Sequence, residues 1–408
     1  MLAMPTETEA HGLGFEAFHR VHLPRVIAAG HGSLVERDTR ERRPFAIRLE
    51  GGGAFTYVPA NGCVAIEAGD DRAATVVELS SDAWREFASE IRTAPGLIYA
   101  GKVRCIRGDL MAFVGWEPAL RALYHGRAIF DAARIDLRDT DGTPLDVRAT
   151  FTLDSPADSL RHFLDQTGYV VVRGVFSADE VAALVRETER LRLAARASDR
   201  KSWWAANAAG DSVLCRITYA GDRSRRLAAL FDDGRIRRLI EACAPQLIAA
   251  TDRFDGVTIL FKNPDIVSGL SDLPWHRDCG LGGHSIICPL IVLGIHLDDM
   301  TPESGELRVL PGSWKTSCHF MEASDPSAPK GLGLEAHAGD CTLHYGDIMH
   351  AAPPPARAGV MRTTIYLTYV PRRAFRLVGP GEAYNDVLLA DGSGRVRHLV
   401  ETIEKPSR

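Results

Sequence analysis

A histidine and an aspartate separated by one residue are the first side chains in this sequence that could do chemistry together. The segment LPWHRDCG contains His276 and Asp278, and positions i and i+2 of a β-strand point to the same face. A third ligand would come from a strand that returns beside the first, and the segment GDIMHAAPPP offers His350. Two histidines and one carboxylate hold a metal ion on one side and leave its other positions open, which suits Fe(II), an oxo-acid cosubstrate and O₂. Because His-x-Asp alone often arises by chance, the prediction depends on the residues around it.

Two basic residues on strand-like segments could bind the oxo acid. Arg362 follows His350 at the start of RTTIYLTYV, and a guanidinium pairs bidentately with a carboxylate such as the distal one of 2-oxoglutarate. Lys262, at the end of VTILFK, offers a second positive charge. A lone arginine or lysine on a strand is more often a surface residue. The ordered set, His-x-Asp, then Gly-Asp-x-x-His, then Arg, is what favours the metal and 2-oxoglutarate interpretation.

A run of short strands must position these residues. Strand-like segments fill most of the sequence from Gly256 to Pro371: VTILFK, SIICPLIVLGIHLDD, GELRVLPGS, CTLHYGDIMH and RTTIYLTYV. Helical patterns precede them, and Ser177 and Glu180 form a capping-box signature before one of these helices. Helices followed by many strands predict helices packed on a β-sandwich or jelly roll. Strand alternation would turn His344 to the same face as His350 if no bulge intervenes, which makes His344 a candidate neighbour of the ligands.

These segments together resemble the phytanoyl-CoA dioxygenase family of Fe(II)/2-oxoglutarate oxygenases, over residues 158–372. The resemblance lies in GYVVVRGVFSADEV, PWHRD, HLDDMTPESGELRVLPGSW and GDCTLHYGDIMHAAPPP with MRTTIYLTYVP. It implies a double-stranded β-helix (a jelly roll), with His276, Asp278 and His350 as iron ligands. It also implies Arg362 as the clamp for 2-oxoglutarate and Lys262 as a further carboxylate contact.

The resemblance further implies a reaction, with one departure from the family pattern. An enzyme of this kind converts 2-oxoglutarate to succinate and CO₂ with O₂ and oxidises an unactivated C–H bond, most simply by hydroxylation. Where relatives often carry a small polar residue after the distal histidine, this chain has Ala351-Ala352, and Thr364 or Tyr366 are the candidates to replace it. Related halogenases lack the carboxylate ligand, so Asp278 disfavours halogenation. Trp275 and the helix segment Trp203-Trp204 are aromatic candidates for lining the substrate space, with core packing as the alternative.

The leading part of the chain predicts a second, small α+β domain with an antiparallel sheet. In it, DLMAFVG is expected to be a strand, and the helix over AWREFASEIRTA is expected to end near Pro95-Gly96. The succession GCVAIEAG, DRAATVVELSSDAW and APGLIYAGKVRCIRGDLMAF resembles the sterol carrier protein lipid-binding domain. That resemblance implies a small, apolar substrate, such as a terpenoid, a steroid or an acyl chain, which a carrier protein or CoA could present. The alternative is a domain of the same class that serves only as a packing or dimer platform. The expected organisation is a sterol-carrier-like domain over 15–140, an oxygenase domain over 155–375 and a C-terminal extension over 376–408.

Composition excludes several other classes of protein. The chain has 408 residues, 48 Lys and Arg against 53 Asp and Glu, and 45% hydrophobic residues, so neither wholesale disorder nor nucleic-acid binding is favoured. The apolar run from Ile286 to Leu297 is too short to span a membrane. No secretory signal is visible, and the eight cysteines include no CxxC pair, so a cytoplasmic protein with free thiols is expected.

Two other functions stay open at this stage. One is a lipid-binding or scaffold protein whose oxygenase half has lost activity, against which the complete ligand set speaks. The other is a cupin-like isomerase or hydrolase that uses zinc or manganese, because two histidines and one carboxylate do not select iron by themselves. The expected partner is a small-molecule substrate, and a homo-oligomer is left open.

Overall fold

The computed structural model describes residues 13–60, 62–268, 273–278, 290–321 and 328–404, whose strands form three sheets. Two hydrophobic cores hold most of the buried side chains, one in the leading unit and one in the second part of the chain, where helices and strands both contribute to it. No helix of the described part is long and apolar enough to cross a membrane. The six cysteines within these ranges carry free thiols, while Cys279 and Cys288 lie outside the described residues.

The leading unit has one five-stranded sheet. Its strands are β1 Phe45–Leu49, β2 Ala54–Ala60, β3 Cys63–Ala68, β4 Thr75–Leu79 and β5 Val103–Arg107, in the spatial order β3-β2-β1-β4-β5. Its helices are α1 Phe15–Ala17, α2 Leu23–Ala28, α3 Glu36–Thr39, α4 Ser81–Ala88, α5 Ala94–Tyr99 and α6 Leu110–His125. The expectation of an antiparallel sheet is wrong at one pair, because β1 and β4 run parallel.

Two local predictions in this unit are wrong. The segment DLMAFVG was expected to be a strand, yet it forms the first turns of α6, where the Asp109 side chain accepts a hydrogen bond from the Met111 amide. The expected helix end at Pro95-Gly96 instead lies inside α5, where proline is tolerated in the first turn because its missing N–H has no partner there. In both places a short apolar run fits either a buried helix or a strand.

The second part of the chain contains two antiparallel sheets and flanking helices. Its helices are α7 Ala157–Thr167, α8 Ala178–Ala194, α9 Arg225–Ala228, α10 Gly234–Cys243, α11 Ala374–Leu377, α12 Tyr384–Leu388 and α13 Leu399–Glu404. Its strands are β6 Tyr169–Val172, β7 Ser202–Asn207, β8 Ser212–Ile217, β9 Leu247–Ala249, β10 Val257–Lys262, β11 Ile266–Ser268, β12 Leu273–His276, β13 Ile291–His296, β14 Leu307–Val309, β15 Leu332–Leu334, β16 Cys341–Tyr345, β17 His350–Ala352 and β18 Arg362–Pro371.

These two sheets share one core, which is the arrangement expected of a jelly roll. The larger has the order β11-β7-β8-β10-β18-β13-β16-β6, with β9 beside β18, and the smaller has the order β12-β17-β14-β15. Buried side chains of both sheets belong to one hydrophobic cluster, which also contains residues of α7, α8 and α10. The capping box of α8 is confirmed, since Ser177 and Glu180 each accept a hydrogen bond from the other's backbone amide. Trp203 and Trp204 lie on strand β7, so the expectation of a helix there is wrong.

The leading unit and the C-terminal segment both pack against the second part of the chain. The Phe130 amide donates to the Ser317 carbonyl, and the Ser317 amide donates to the Ala128 carbonyl. Leu399 of α13 is buried in the core of the leading unit, and the Tyr99 hydroxyl donates to the carbonyl of Arg397 at 3.3 Å. The domain bounds expected from the sequence stay predictions, and residues 405–408 lie outside the described part.

Candidate functional site

Two neighbouring strands of the smaller sheet bring the predicted metal ligands together. His276, the last residue of β12, is the direct antiparallel partner of His350, the first residue of β17. Asp278 lies just beyond the end of β12, and its backbone amide donates to the carbonyl of Gly346 at 2.9 Å. One ligand atom from each of the three side chains lies within 4.8 Å of the other two. Asp278 therefore joins the histidines although the strand ends before it.

Backbone hydrogen bonds orient both imidazoles toward the carboxylate. Nδ1 of His276 contacts the carbonyl of Pro274 at 2.7 Å, and Nδ1 of His350 contacts the carbonyl of Ile348 at 3.0 Å. A proton on Nδ1 donates in each case, which leaves the lone pair of Nε2 free for a metal ion. Nε2 of His276 lies 3.7 Å from Oδ1 of Asp278, and Nε2 of His350 lies 3.7 Å from Oδ2 of the same carboxylate.

Burial sets the protonation of these groups in favour of metal binding. It lowers the pKa of His276, and it lowers the pKa of His350 to about 3, so both imidazoles are neutral at physiological pH. Burial alone would raise the pKa of Asp278, but the neighbouring histidines outweigh that effect and hold it well below its usual range. The donor set is two neutral nitrogens and one carboxylate, which fits a divalent transition metal.

His344 is a fourth imidazole at this site. Its ring centroid lies 4.8 Å from that of His350, and its Nε2 lies 3.5 Å from Oδ2 of Asp278. The side chain is buried, and neither ring nitrogen has a hydrogen-bond partner of good geometry among the described residues. His344 therefore lies beside the carboxylate ligand, but not through alternation along one strand, because it belongs to β16 of the larger sheet and His350 to β17 of the smaller one.

Arg362 is a buried cation on the inner face of the larger sheet. It is 1% exposed, and its guanidinium donates to the carbonyls of Ser304 and Gly305 and to the Thr364 hydroxyl. These contacts use three of its five N–H groups. No carboxylate of the described residues forms an ion pair with it. A buried charge without a counter-ion is costly, so this position is prepared for an anion.

Lys262 is the direct cross-strand partner of Arg362, so the two cations share a face. Its ammonium group donates to the carbonyl of Ala352, two residues beyond His350 on β17, and to that of Pro353 at 3.0 Å. Both cations therefore lie beside the strand that carries the distal histidine. Thr364, a candidate for the missing polar residue after that histidine, lies between Arg362 and His296.

Residues 164–360 match the family model described as phytanoyl-CoA dioxygenase. Over these residues, slightly less than half of the chain, the sequence is similar to the phytanoyl-CoA dioxygenase family. The matched region contains the three metal-ligand candidates and Lys262, and it ends two residues before Arg362.

A curated relative supports the same assignment. A protein of Stutzerimonas stutzeri, described as a probable alpha-ketoglutarate-dependent hypophosphite dioxygenase, is 26% identical over 272 residues, which cover 61% of this chain and 90% of the relative. That description agrees with the cofactors predicted from the sequence.

Solved structures with similar folds include EvdMO1 and the non-heme alpha-ketoglutarate-dependent epimerase SnoN from nogalamycin biosynthesis. For EvdMO1 the TM-score is 0.43 with 21% identity, over 53% of this chain and 50% of that chain, so the match spans about half of EvdMO1. For SnoN the TM-score is 0.40 with 23% identity, over 52% of this chain and 82% of that chain. At these values the similarity does not bear on the substrate or the reaction.

A cavity lies beside the three metal-ligand candidates, which belong to the part of the chain that matches the family model. All three of them line it, together with Trp275, Trp203 and Tyr366. Trp275 also packs in a small buried cluster with Leu310 and Met349, and its role in lining a substrate site stays a prediction. Trp204 is not among the side chains that form the wall; its indole N–H donates to the Ser202 hydroxyl.

The sequence did not predict that segments outside the family region also form the cavity wall. The leading unit contributes Tyr99 and Glu117, and the C-terminal segment contributes Tyr384, Asn385 and Leu399. The rings of Tyr99 and Tyr384 meet edge to face at 5.9 Å. No motif marks these residues, because their role comes from how distant segments pack.

Proposed function

We propose that this protein is an Fe(II)- and 2-oxoglutarate-dependent oxygenase in which His276, Asp278 and His350 hold the iron. The single observation that carries the proposal is the combination of this ligand set with the buried Arg362, which has no carboxylate partner among the residues that the structure describes. The two neutral imidazoles and the ionised carboxylate suit Fe(II), and the guanidinium suits a carboxylate of the cosubstrate. Iron with 2-oxoglutarate and O₂ would supply the oxidising power, with release of succinate and CO₂.

The residues of the chain bind and orient 2-oxoglutarate and the substrate, and they exclude water from the site. Arg362 can bind the distal carboxylate of 2-oxoglutarate through its two unused N–H groups, while Lys262 adds a second positive charge beside the strand of His350. His344 lies against Asp278 and keeps that carboxylate turned toward the two histidines. The surrounding wall holds the substrate near these groups, which is how such sites gain rate from positioning.

The proposed reaction is oxidation of an unactivated C–H bond of a small metabolite, with hydroxylation as the expected outcome. Trp203, Trp275, Tyr384 and Leu399 give the cavity a largely apolar wall, which supports the expectation of a substrate with an apolar body. Whether the leading unit binds lipid like a sterol carrier protein is a separate prediction, as is presentation of the substrate by a carrier. The position of Tyr99 supports a role for that unit as part of the wall.

Metal-dependent turnover of 2-oxoglutarate tests this proposal. We expect succinate to form slowly without any substrate when Fe(II), 2-oxoglutarate and O₂ are present, and not when Zn(II) or Mn(II) replaces Fe(II). His276→Ala should abolish succinate formation, while Asp265→Ala, an exposed carboxylate outside the cavity, should leave it unchanged. Two results would contradict the oxygenase proposal: no succinate with Fe(II), or as much succinate from the His276→Ala variant as from the wild type. Either result would favour the scaffold or the zinc-enzyme alternative.

A further inference from the structure

Three polar side chains of the cavity wall have no role in the chemistry proposed above. Arg216, Asp255 and Asn385 line the same cavity as His276 and Asp278. They come from β8, from the loop before β10 and from α12. Each has a polar atom that is shielded from solvent and has no hydrogen-bond partner within the described part of the chain: Nε of Arg216, Oδ1 of Asp255 and Oδ1 of Asn385. An unpaired buried polar atom typically costs about 1–3 kcal/mol, so three beside one cavity suggest that a ligand completes them.

Strand pairing places Arg216 on the inner face of the larger sheet. It lies opposite Trp203 on one side and Leu260 on the other, and Leu260 lies opposite Thr364. Directly opposite residues share a face, so Arg216 belongs to the row of side chains that leads to the 2-oxoglutarate site. Its guanidinium lies over the Trp203 ring at 4.6 Å. Stacking occupies the face of the guanidinium and leaves its N–H edge available to an acceptor.

An unusual backbone turn positions Asp255. Phe254, Asp255 and Gly256 have φ values of 51°, 70° and 55°, and two consecutive non-glycine residues in this left-handed region are strained. The backbone carbonyl of Asp255 accepts a hydrogen bond from the Tyr219 amide at 2.7 Å. Burial raises the pKa of Asp255 to about 7, so the carboxyl group can accept or donate a hydrogen bond near neutral pH.

The C-terminal segment supplies the third member of the group. Asn385 is 1% exposed, and its amide nitrogen donates to Oδ2 of Asp255. The next residue, Asp386, accepts a hydrogen bond from the Tyr219 hydroxyl at 2.7 Å. Helix α12 is therefore fixed to the loop that carries Asp255, and the two unpaired Oδ1 atoms belong to one contiguous patch.

The chemistry of the patch favours a neutral ligand group that both donates and accepts hydrogen bonds. Arg216 can only donate hydrogen bonds, Oδ1 of Asn385 can only accept, and a hydroxyl does both. An ammonium group would satisfy the two acceptors but would be repelled by Arg216. A carboxylate or phosphate would satisfy Arg216 but would face the oxygens of Asp255 and Asn385. Adjacent hydroxyl groups satisfy all three.

We propose that Arg216, Asp255 and Asn385 form a recognition site for neighbouring hydroxyl groups of the substrate, which is thus a hydroxylated ring attached to an apolar body. This inference rests on the proposed function and names its substrate class. The apolar wall formed by Trp203, Tyr384 and Leu399 would hold the remainder of the molecule.

Matched ligands test the proposal. The probes are octyl and phenyl β-glucopyranoside, each compared with the corresponding tetrahydropyranyl ether, which keeps the ring oxygen and the apolar group but has no free hydroxyls. Binding is measured by anaerobic calorimetry on the full chain loaded with Fe(II) and 2-oxoglutarate, and again on the metal-free protein. We expect each glucoside to bind at least about ten-fold more tightly than its ether, as two or more added hydrogen bonds would give.

Substitutions assign the preference to these residues. Asp255→Gly removes the carboxyl group and keeps a residue that tolerates the left-handed backbone, and Asn385→Leu replaces the amide with a side chain of similar size. Both should remove most of the preference, whereas Asp265→Asn on the exposed loop after β10 should retain it. A melting-temperature measurement checks that each variant is folded.

The outcomes separate this inference from the proposed function. Ethers that bind as tightly as glucosides, glucosides that do not bind, or a preference that survives both substitutions would each overturn the recognition site. The visible absorption band of the Fe(II) and 2-oxoglutarate complex is recorded before each titration. A protein that forms this band but shows no preference for hydroxyls refutes only the substrate class, and a protein that never forms it refutes the oxygenase itself.

Discussion

Replacing Arg362 with glutamine should weaken 2-oxoglutarate binding far more than it changes the stability of the protein. The guanidinium is buried, makes three hydrogen bonds within the protein and has no carboxylate partner among the described residues. Two N–H groups remain for a ligand carboxylate. The substitution therefore removes both the charge and the fork that a carboxylate would bind.

The expected loss follows from these two contacts. Hydrogen bonds to charged groups contribute about 1.5–3 kcal/mol each, so losing two should cost about 3–6 kcal/mol and raise the Kd for 2-oxoglutarate at least about 100-fold. Stability should change by only about 2 kcal/mol or less, because removing a buried unpaired cation offsets much of the loss of its hydrogen bonds to Ser304, Gly305 and Thr364. Arg362→Lys keeps the charge without the fork, so its Kd should lie between those of the wild type and the glutamine variant.

Anaerobic calorimetry of 2-oxoglutarate binding to the Fe(II)-loaded protein measures this effect, with urea denaturation as the stability readout. Arg357→Gln is the matched control, since that arginine lies on the surface and pairs with Glu303. An Arg362→Gln variant that binds 2-oxoglutarate with wild-type affinity would remove this residue from its proposed role. A variant that unfolds instead would show that the guanidinium is mainly structural.

Two further predictions concern buried histidines, His344 in one and His296 with His19 in the other. His344→Phe should weaken metal binding about 10- to 100-fold, because the imidazole lies 3.5 Å from the carboxylate of Asp278; unchanged affinity in a Co(II) titration would contradict that role. Burial lowers the pKa of His296 to about 3 and that of His19 to about 4. The unfolded chain takes up both protons below about pH 6.5 while the folded protein does not, so the free energy of unfolding of the metal-free protein should fall by about 2 kcal/mol per histidine between pH 7 and pH 5. His296→Gln should reduce that slope, and an equal slope in the variant would refute the assignment.

The metal site could be predicted from the sequence because its geometry is local. His276 and Asp278 are two residues apart, and His350 needs only one strand pairing to reach them. Arg362 and Lys262 likewise lie directly opposite each other on adjacent strands. Strand periodicity and a family resemblance are enough to predict contacts of this kind.

The strand and helix errors have a different cause. The segment that begins α6 is apolar on most sides because the helix is buried, and such a run has no period that separates a helix from a strand. At Trp203 the reverse holds, since a β-strand at that position follows from pairing with β8 and not from its own residues.

The cavity wall could not be predicted because it depends on contacts between distant segments. Tyr99 of the leading unit, Asp255 of the central loop and Asn385 of the C-terminal segment are far apart in sequence and carry no common motif. The sequence resemblance to a lipid carrier suggested an apolar substrate. The packing adds a polar patch to that expectation.

Anaerobic addition of Fe(II) and 2-oxoglutarate tests the central claim most directly. The wild-type protein should develop a weak visible metal-to-ligand band with one equivalent of each, and the band should be absent from His276→Ala and should disappear with succinate release when O₂ is admitted. A wild-type protein that forms no band and releases no succinate would contradict the assignment of His276, Asp278 and His350 as an iron site.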